Sequence, residues 1–575
     1  MLLGLALLLV AVPAAEAARG LRAFGSCAEL VRFGAAHVRD RVPVRVGAPG
    51  VVTLAAPTSA RRDAPVAQSA AGAAGAEDQA AGDASGTNVQ EPGIDEPDVV
   101  ELAGDRLLVL ADGRLLAVAA TGDPRVLGAL PLEGFGHQLL LRGSTALVLA
   151  QGPGGALLTE VDVGDPAAMR VRRTMAVPGT VVTARLAGAT ARVVVSGSPA
   201  VVEDPSLRDL VPATTLRSRV SGRTFRRGLV ACDDVRRPVR PGGADLVTVL
   251  TIDLDRGLFS VDRDAVMAAP QAVYAASGSL YVASTTERGD RTLVHRFDAS
   301  DPRTTRYRTS GEVEGTVLNQ FSLSEHEGHL RIATTSGEAQ ASAVSVLREQ
   351  DGALRVVGRV GGLGQSERIY AVRFLGDRGY VVTFRQVDPL YTLDLADPAR
   401  PRVLGELKIE GYSAYLHPAG DGLLLGVGVD ATSEGRRLGA QVSLFDVADP
   451  RAPRRLHARP LGEGTSTAVE LDHHAFLFWP ATRTVVLPVS GPQPDGTFGT
   501  VARVLRAGRD ALADRGTIAH RRDGLLGDVQ RSLVAPGGRL LTVSGLGVAA
   551  HRMEDLAPQG FAAFPAAPQA TGARP

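Results

Sequence analysis

Lysine is all but missing from this sequence of 575 residues: Lys408 is the sole example among 62 basic side chains, and the rest are Arg. The arginines are scattered, which fits the codon bias of a GC-rich genome better than selection for guanidinium chemistry. An excess of one charge is absent too. Basic and acidic residues number 62 each, for a net charge of +0. No basic stripe interleaved with aromatics occurs, so the electrostatic footprint of a nucleic-acid binder is missing. Aromatic residues make up only 4%, so packed sheets must interlock through Val, Leu and Ala. Beyond the N-terminus no apolar run approaches the roughly 20 residues that a membrane helix needs. Catalytic signatures are lacking as well. There is no Gly-x-Ser-x-Gly elbow and no His-Glu-x-x-His, no carboxylate pair can be singled out for glycosidase chemistry, and Gly361-Gly362-Leu363-Gly364 lies between strands, where it cannot cradle phosphate.

What is there begins with an apolar stretch from Leu2 to Val12, closed by Ala15 and Ala17 as an Ala-x-Ala cleavage signal. Residues 1–17 therefore read as a cleaved secretory signal peptide, and the mature protein is expected to be soluble, in the periplasm, at the cell surface or secreted. No Lys or Arg precedes the apolar run, which leaves open a start codon further upstream. No Cys stands at the cleavage point to carry a lipid anchor. The two cysteines, Cys27 and Cys232, suggest a disulfide in an oxidising compartment; the alternative is two separate buried thiols. A bridge would close a loop of roughly 200 residues, worth up to ~5 kcal/mol in the chain-entropy model.

Residues 18–55 form an N-terminal segment with an expected short helix from Cys27 to Phe33 and a possible strand within Val42 to Leu54. Residues 56–86 carry Ala, Gly, Ser, Pro and Asp with almost no large apolar residue, the composition of a flexible linker. From Thr87 to residue 565 the chain is dominated by short alternating runs of Val, Leu and Tyr, cut by Gly-Asp, Asp-Gly and Asp-Pro. Residues 566–575 read as a disordered tail. The clearest repeat runs from Arg368 to Ile409 as four strands joined by short connections. Its grammar returns in Val442 to Pro453, Val161 to Pro166 and Arg296 to Pro302. Asp-Pro suits these junctions because Asp caps a turn while Pro fixes φ and cannot extend a ladder.

About nine such units begin near Pro97, Gln138, Val181, Gln271, Leu318, Arg368, Gly411, Thr465 and Gly527, spaced, except for the third, by about 35 to 60 residues, as propeller blades are. The third carries an Arg- and Pro-rich insertion, roughly Pro199 to Ala244, that contains Cys232. The fold class is all-β: a single β-propeller of eight or nine four-stranded antiparallel blades. Eight would result if weak units at either end shared one blade that an N-terminal strand closed.

One stretch is too specific for a generic turn: Thr87-Asn88-Val89-Gln90-Glu91-Pro92-Gly93-Ile94-Asp95-Glu96-Pro97-Asp98. With Leu318-Asn319-Gln320-Phe321-Ser322, Val382-Thr383-Phe384-Arg385-Gln386-Val387-Asp388-Pro389 and Asp472-His473-His474-Ala475-Phe476, it resembles a secreted β-propeller family of bacteria and archaea that is distantly similar to WD-repeat proteins. The resemblance covers most of the mature chain. It implies fold and export, and it brings no catalytic residues.

Several clusters are candidates for chemistry. Asp95, Glu96, Asp98 and Glu101 offer oxygen ligands to Ca²⁺, although the spacing is not that of an EF-hand and the same residues could cap turns; no other cofactor is expected. His417, His473 and His520, with Asp472, could meet as transition-metal ligands, or be separate satisfied histidines. His473 and His474 are adjacent, and adjacent strand residues face opposite ways, so at most one of them can face any given site. Arg385, Gln386 and Asp388 occupy a loop of the kind that displays binding groups, with Arg385 gripping an anion or pairing with Asp388. Asn319, Gln320 and Arg373 are expected on innermost strands, lining the channel or satisfying one another. Two functions are compatible with these features. One is a non-catalytic module binding a protein or small molecule; the other is a hydrolase or metal-dependent enzyme with its site at the channel mouth.

Overall fold

A computed structural model of the chain describes residues 22–38, 84–198, 205–237, 245–286, 288–337, 341–384 and 388–566. The expected signal peptide, the strand within 42–54, linker residues 56–83 and tail residues 567–575 lie outside the described residues, as do Arg385 and Gln386.

The alternating Val- and Leu-rich runs fold into nine four-stranded antiparallel meanders, residues 100–131, 135–177, 180–267, 270–314, 323–363, 368–409, 412–460, 477–518 and 529–563. They are the blades of a β-propeller. Middle strands are buried on both faces, as in Arg114–Ala119, because each blade is sandwiched between two neighbours. The outermost strands, such as Arg402–Ile409, alternate between partial burial and exposure. The units anticipated from the sequence begin close to the observed blades; the largest offset is at Thr465, where two short 3₁₀ turns, Ala468–Glu470 and His473–Ala475, precede the strand Leu477–Trp479.

Asp-Pro acquires a packing role in addition to its turn role. In blades two, four, six and seven an Asp that ends the third strand and a second Asp three residues on each accept a backbone N–H two positions ahead, as Asp394 does from Ala396 and Asp397 from Ala399. Asp162, Asp394 and Asp446 also hold the Arg eight residues later, Arg170, Arg402 and Arg454. The turn so built leans on the outer strand of the preceding blade. A Cβ at Gly405 would stand 2.7 Å from the carbonyl oxygen of Pro450, so only glycine lets the next blade come this close.

The ring closes the same way. Gly560, with φ of +134°, meets Pro124 of the first blade at 2.7 Å from where its Cβ would be, and a buried cluster joins Val100, Leu107 and Leu116 to Leu533, Leu541 and Val548. Both terminal blades have four strands of their own. The arrangement with one shared blade closed by an N-terminal strand is therefore not adopted, and the count is nine.

The insertion in blade three widens two blades. Its strands Ala213–Ser218 and Thr224–Gly228 extend blade two beyond Arg170–Val177, while Val235–Arg237 pairs in parallel with Val261–Met267 of blade three. On that edge sits the N-terminal segment. The strand Arg22–Ala23 pairs with Val235–Arg237, and the helix Cys27–Val38 is fixed by a Cys27–Cys232 disulfide and by Arg237, which bonds Glu29 at 2.8 Å and lies over the rings of Phe24 and Phe33.

Candidate functional site

Residues 84–98 run through the middle of the ring instead of lying outside it. The sequence here has no alternation, and Pro92 and Pro97 prevent a long ladder, so its backbone and side-chain groups bond to the innermost strands one blade at a time. Ser85 exchanges two bonds with Val534 of blade nine. Asn88 Nδ2 donates to the Tyr415 hydroxyl of blade seven and to the His473 carbonyl that precedes blade eight. Gln90 Nε2 donates to the Gln320 and Leu323 carbonyls at blade five, and Glu91 accepts from the Tyr274 hydroxyl of blade four. Ile94–Asp95 pairs with Leu186 and Ala187 of blade three, and Asp98 with Leu139 of blade two. The segment plugs the channel.

At its centre lies a buried polar cluster. Asp98 is held by Arg531 at 2.7 to 3.0 Å, and the same guanidinium reaches Asp472 at 2.5 Å. Glu96 accepts from Gln90 N and from Gln320 Nε2 at 3.1 to 3.2 Å, and Arg185, bonded to Gln320 Oε1, stands 3.6 Å from it. His473 Nε2 is 3.6 Å and His474 Nε2 3.9 Å from Glu96 Oε2, while His474 Nδ1 lies 3.1 Å from Asp472 Oδ1. Among the described residues, Glu96, His473 and His474 form the one group of three metal-ligating side chains whose atoms all lie within 4.8 Å of one another. Burial, with His474 adding to it, holds the His473 imidazole well below its ordinary range. Burial also works against a charge on His474, but Asp98, Asp472 and Glu96 outweigh it and raise the group.

The two adjacent histidines face one site because they occupy a 3₁₀ turn capped by Asp472 instead of a strand, and their rings stand 3.7 Å apart. This corrects the expectation that at most one could reach it. An Asp ahead of the pair was the signal for such a turn. His520 is elsewhere: both its ring nitrogens are engaged by Ser544 and Thr542 at 2.8 Å, in blade nine. His417 bonds the hydroxyl of Tyr415, which Asn88 and Phe321 link to His473. Asp95 accepts from Glu96 N, and Asp98 serves Arg531, so the acidic run is not gathered into one oxygen cage. Arg373 lies in the innermost strand Arg368–Leu375, its guanidinium 5.2 Å over Phe321, whereas Asn319 and Gln320 stand at a 3₁₀ turn ahead of the strand Leu323–His326 and not in a strand as expected. Asn319 caps the 3₁₀ turn Gln320–Ser322 that presents Gln320. Asp388 begins the strand Asp388–Asp394. Arg185 and Arg531 were not singled out from the sequence, where single arginines among many carry no signal, and of the adjacent histidines only His473 was put forward as a ligand.

Beside the plug lies a cavity of about 350 Å³, bounded by Thr87, Asn88, Pro92, Ile94, Asp95 and Glu101 and by Leu141, Leu186 and His417. These last three are each the penultimate residue of an innermost strand, which puts the cavity at one end of the ring. Burial raises Asp95 to about 6 and Glu101 well above its ordinary value. A second cavity, bordered by His474, Asp98 and Arg531, measures about 10 Å³, room for a single water.

Residues 84–556 match the family model described as a beta propeller domain. The chain belongs to that family. Within it, a 184-residue stretch is 42% identical to an uncharacterised protein of the archaeon Methanocaldococcus jannaschii, covering 31% of this chain and 28% of the relative. A 165-residue stretch is 46% identical to an uncharacterised protein of Archaeoglobus fulgidus, covering 29% and 25%. The matched stretches thus span about a quarter of the length of these relatives. Among solved structures, Chaetomium thermophilum Sqt1, bound to the N-terminus of the ribosomal protein L10, has a TM-score of 0.36 at 11% identity over 56% of this chain and 82% of its own. Kuenenia stuttgartiensis hydrazine synthase has 0.31 at 12% over 55% and 94%. Likenesses at this level say nothing of function.

Proposed function

We propose that this propeller is an exported, non-catalytic binding or scaffold module whose ligand docks in the cavity at the end of the plugged channel. The observation that carries the reading is that cavity of about 350 Å³, within the size range of small-molecule sites. It combines an apolar wall from Leu141, Leu186 and Ile94 with the hydrogen-bonding groups of Thr87, Asn88 and Asp95. The disulfide and the apolar N-terminus support export, and no helix among the described residues is long and apolar enough to cross a membrane. The enzyme reading has less support. The histidines and carboxylates that could act are packed around the chain's own plug, and the cavity bordering His474 admits one water, not a substrate. Screening small molecules and short peptides by thermal shift against the mature protein tests the proposal. Hits should lose their shift in Leu141→Trp, which fills the cavity, and keep it in Leu525→Trp, an exposed position in a hairpin of its own. Turnover of a hydrolase substrate that disappears in His473→Ala would overturn it.

A further inference from the structure

Three donor atoms, one from the plug and two from the ring, converge in the channel, and their spacing is unusual for a hydrogen-bonded cluster. The separations of 3.6 and 3.9 Å between Glu96 Oε2 and the two imidazole Nε2 atoms exceed the lengths of N–H···O bonds. They are close to the separation of about 3.3 to 3.5 Å between neighbouring ligands of a tetrahedral ion held at about 2.0 to 2.1 Å. Both ring nitrogens of His473 and Nε2 of His474 are buried and have no hydrogen-bond partner among the described residues. Buried polar atoms are rarely left so.

We propose that Glu96, His473 and His474 bind one divalent transition-metal ion of zinc's class, which fastens the plug to the ring. Two imidazoles and one carboxylate are the donor set of such ions, whereas Ca²⁺ takes six to eight oxygens. The supports around the ligands are those that metal sites employ. Asp472 accepts from His474 Nδ1, which directs the Nε2 lone pair to the site, and Gln320 Nε2 donates to both oxygens of the Glu96 carboxylate and fixes its orientation. Arg185, near Glu96, brings a positive charge that opposes the ion; Asp98 and Asp472, which act electrostatically on His474, offset it. Glu96 comes from the plug while the histidines lead into blade eight, so one ion bonds the chain's beginning to the far side of the ring. The proposal does not depend on what the larger cavity binds.

The experiment uses the mature full chain without a histidine tag, stripped by a chelator and titrated with Zn²⁺ and then Co²⁺. One equivalent of Zn²⁺ should bind. Co²⁺ should give the visible absorption of a four-coordinate site, and the metal should slow proteolysis between residues 84 and 98. Glu96→Gln and His473→Ala should each weaken binding by more than about 100-fold, beyond the loss typical of supporting residues. His473→Cys, which keeps a ligand, should add a thiolate-to-cobalt charge-transfer band. Absence of stoichiometric uptake by the wild-type chain, or wild-type affinity in both Glu96→Gln and His473→Ala, would overturn the site. Uptake with unchanged proteolysis would overturn the fastening. Should the variants fail to fold, the wild-type Co²⁺ spectrum decides, and a six-coordinate spectrum counts against the site.

Discussion

Between the blades the protein repeats itself; along the channel it never does. An apolar layer of Val, Leu and Ala, with a glycine that admits the neighbour's Asp-Pro turn, recurs around the ring and is used again where blade nine meets blade one. Inside the channel each contact is different, from the Asn88 amide on Tyr415 to the Asp98 carboxylate on Arg531. Apolar layers set how closely blades approach but carry little directional information, while buried polar groups must each find one partner. Repetition suffices to build a ring, and the unrepeated polar segment specifies its interior.

The largest effect expected from breaking this division is in the channel. Arg531→Ala leaves the buried Asp98, and the partly exposed Asp472, without their cation, and removal of one partner from a buried pair costs about 3 to 5 kcal/mol. The urea midpoint should fall accordingly, and residues 84–98 should lose hydrogen-exchange protection before the blades do. Simultaneous loss everywhere would mean that plug and ring form one cooperative unit.

A second test addresses the few titratable groups within the blade layers. His295, between Ser284 and Ser310, and His520 are each lowered to about 4 by burial. Their folded values lie below the unfolded value of 6.5, so the folded chain binds fewer protons than the unfolded chain between pH 6.5 and 4. Stability is present in full above that window and is lost as pH falls through it, by roughly 3 kcal/mol for each histidine at most. Equilibrium unfolding of the wild type and of His295→Gln at pH 7 and pH 4.5 measures it. The substitution should reduce the pH dependence, and an unchanged dependence would show that other groups govern the acid limit.

The smallest effect belongs to the repeat's exposed ornament. Arg402 is largely exposed where it meets Asp394 at 2.8 Å, and Arg402→Ala should cost less than about 1 kcal/mol, with most of that removed by salt. A larger loss would assign the Arg to the inter-blade seam.

The ring was legible because its rules are local. Asp394, Asp397 and Pro398 announce a turn within a few residues, and the same spacing in other blades announces the repeat. The channel was less so because its rules are not. Glu96 is an acidic residue near a turn until Gln320, 224 residues away, and His473 are brought beside it. Burying Thr87 to Asp98 at the centre of the ring follows no periodicity. The motif was conspicuous in the sequence, while its place depended on the closed ring. His474 was hidden for a simpler reason: in a strand it would face away from His473, and only the turn capped by Asp472 turns both the same way.

The plug's position also sets an order of events. Asp98 meets Arg531 across 433 residues of intervening chain, and contacts at such separations form late and slowly. The plug segment, synthesised before the blades, therefore finds its last partner only after blade nine has been made. Until then its amides and carboxylates have water, not protein, around them. A chain truncated within blade nine would accordingly have an unanchored interior as well as an open seam between blades eight and one.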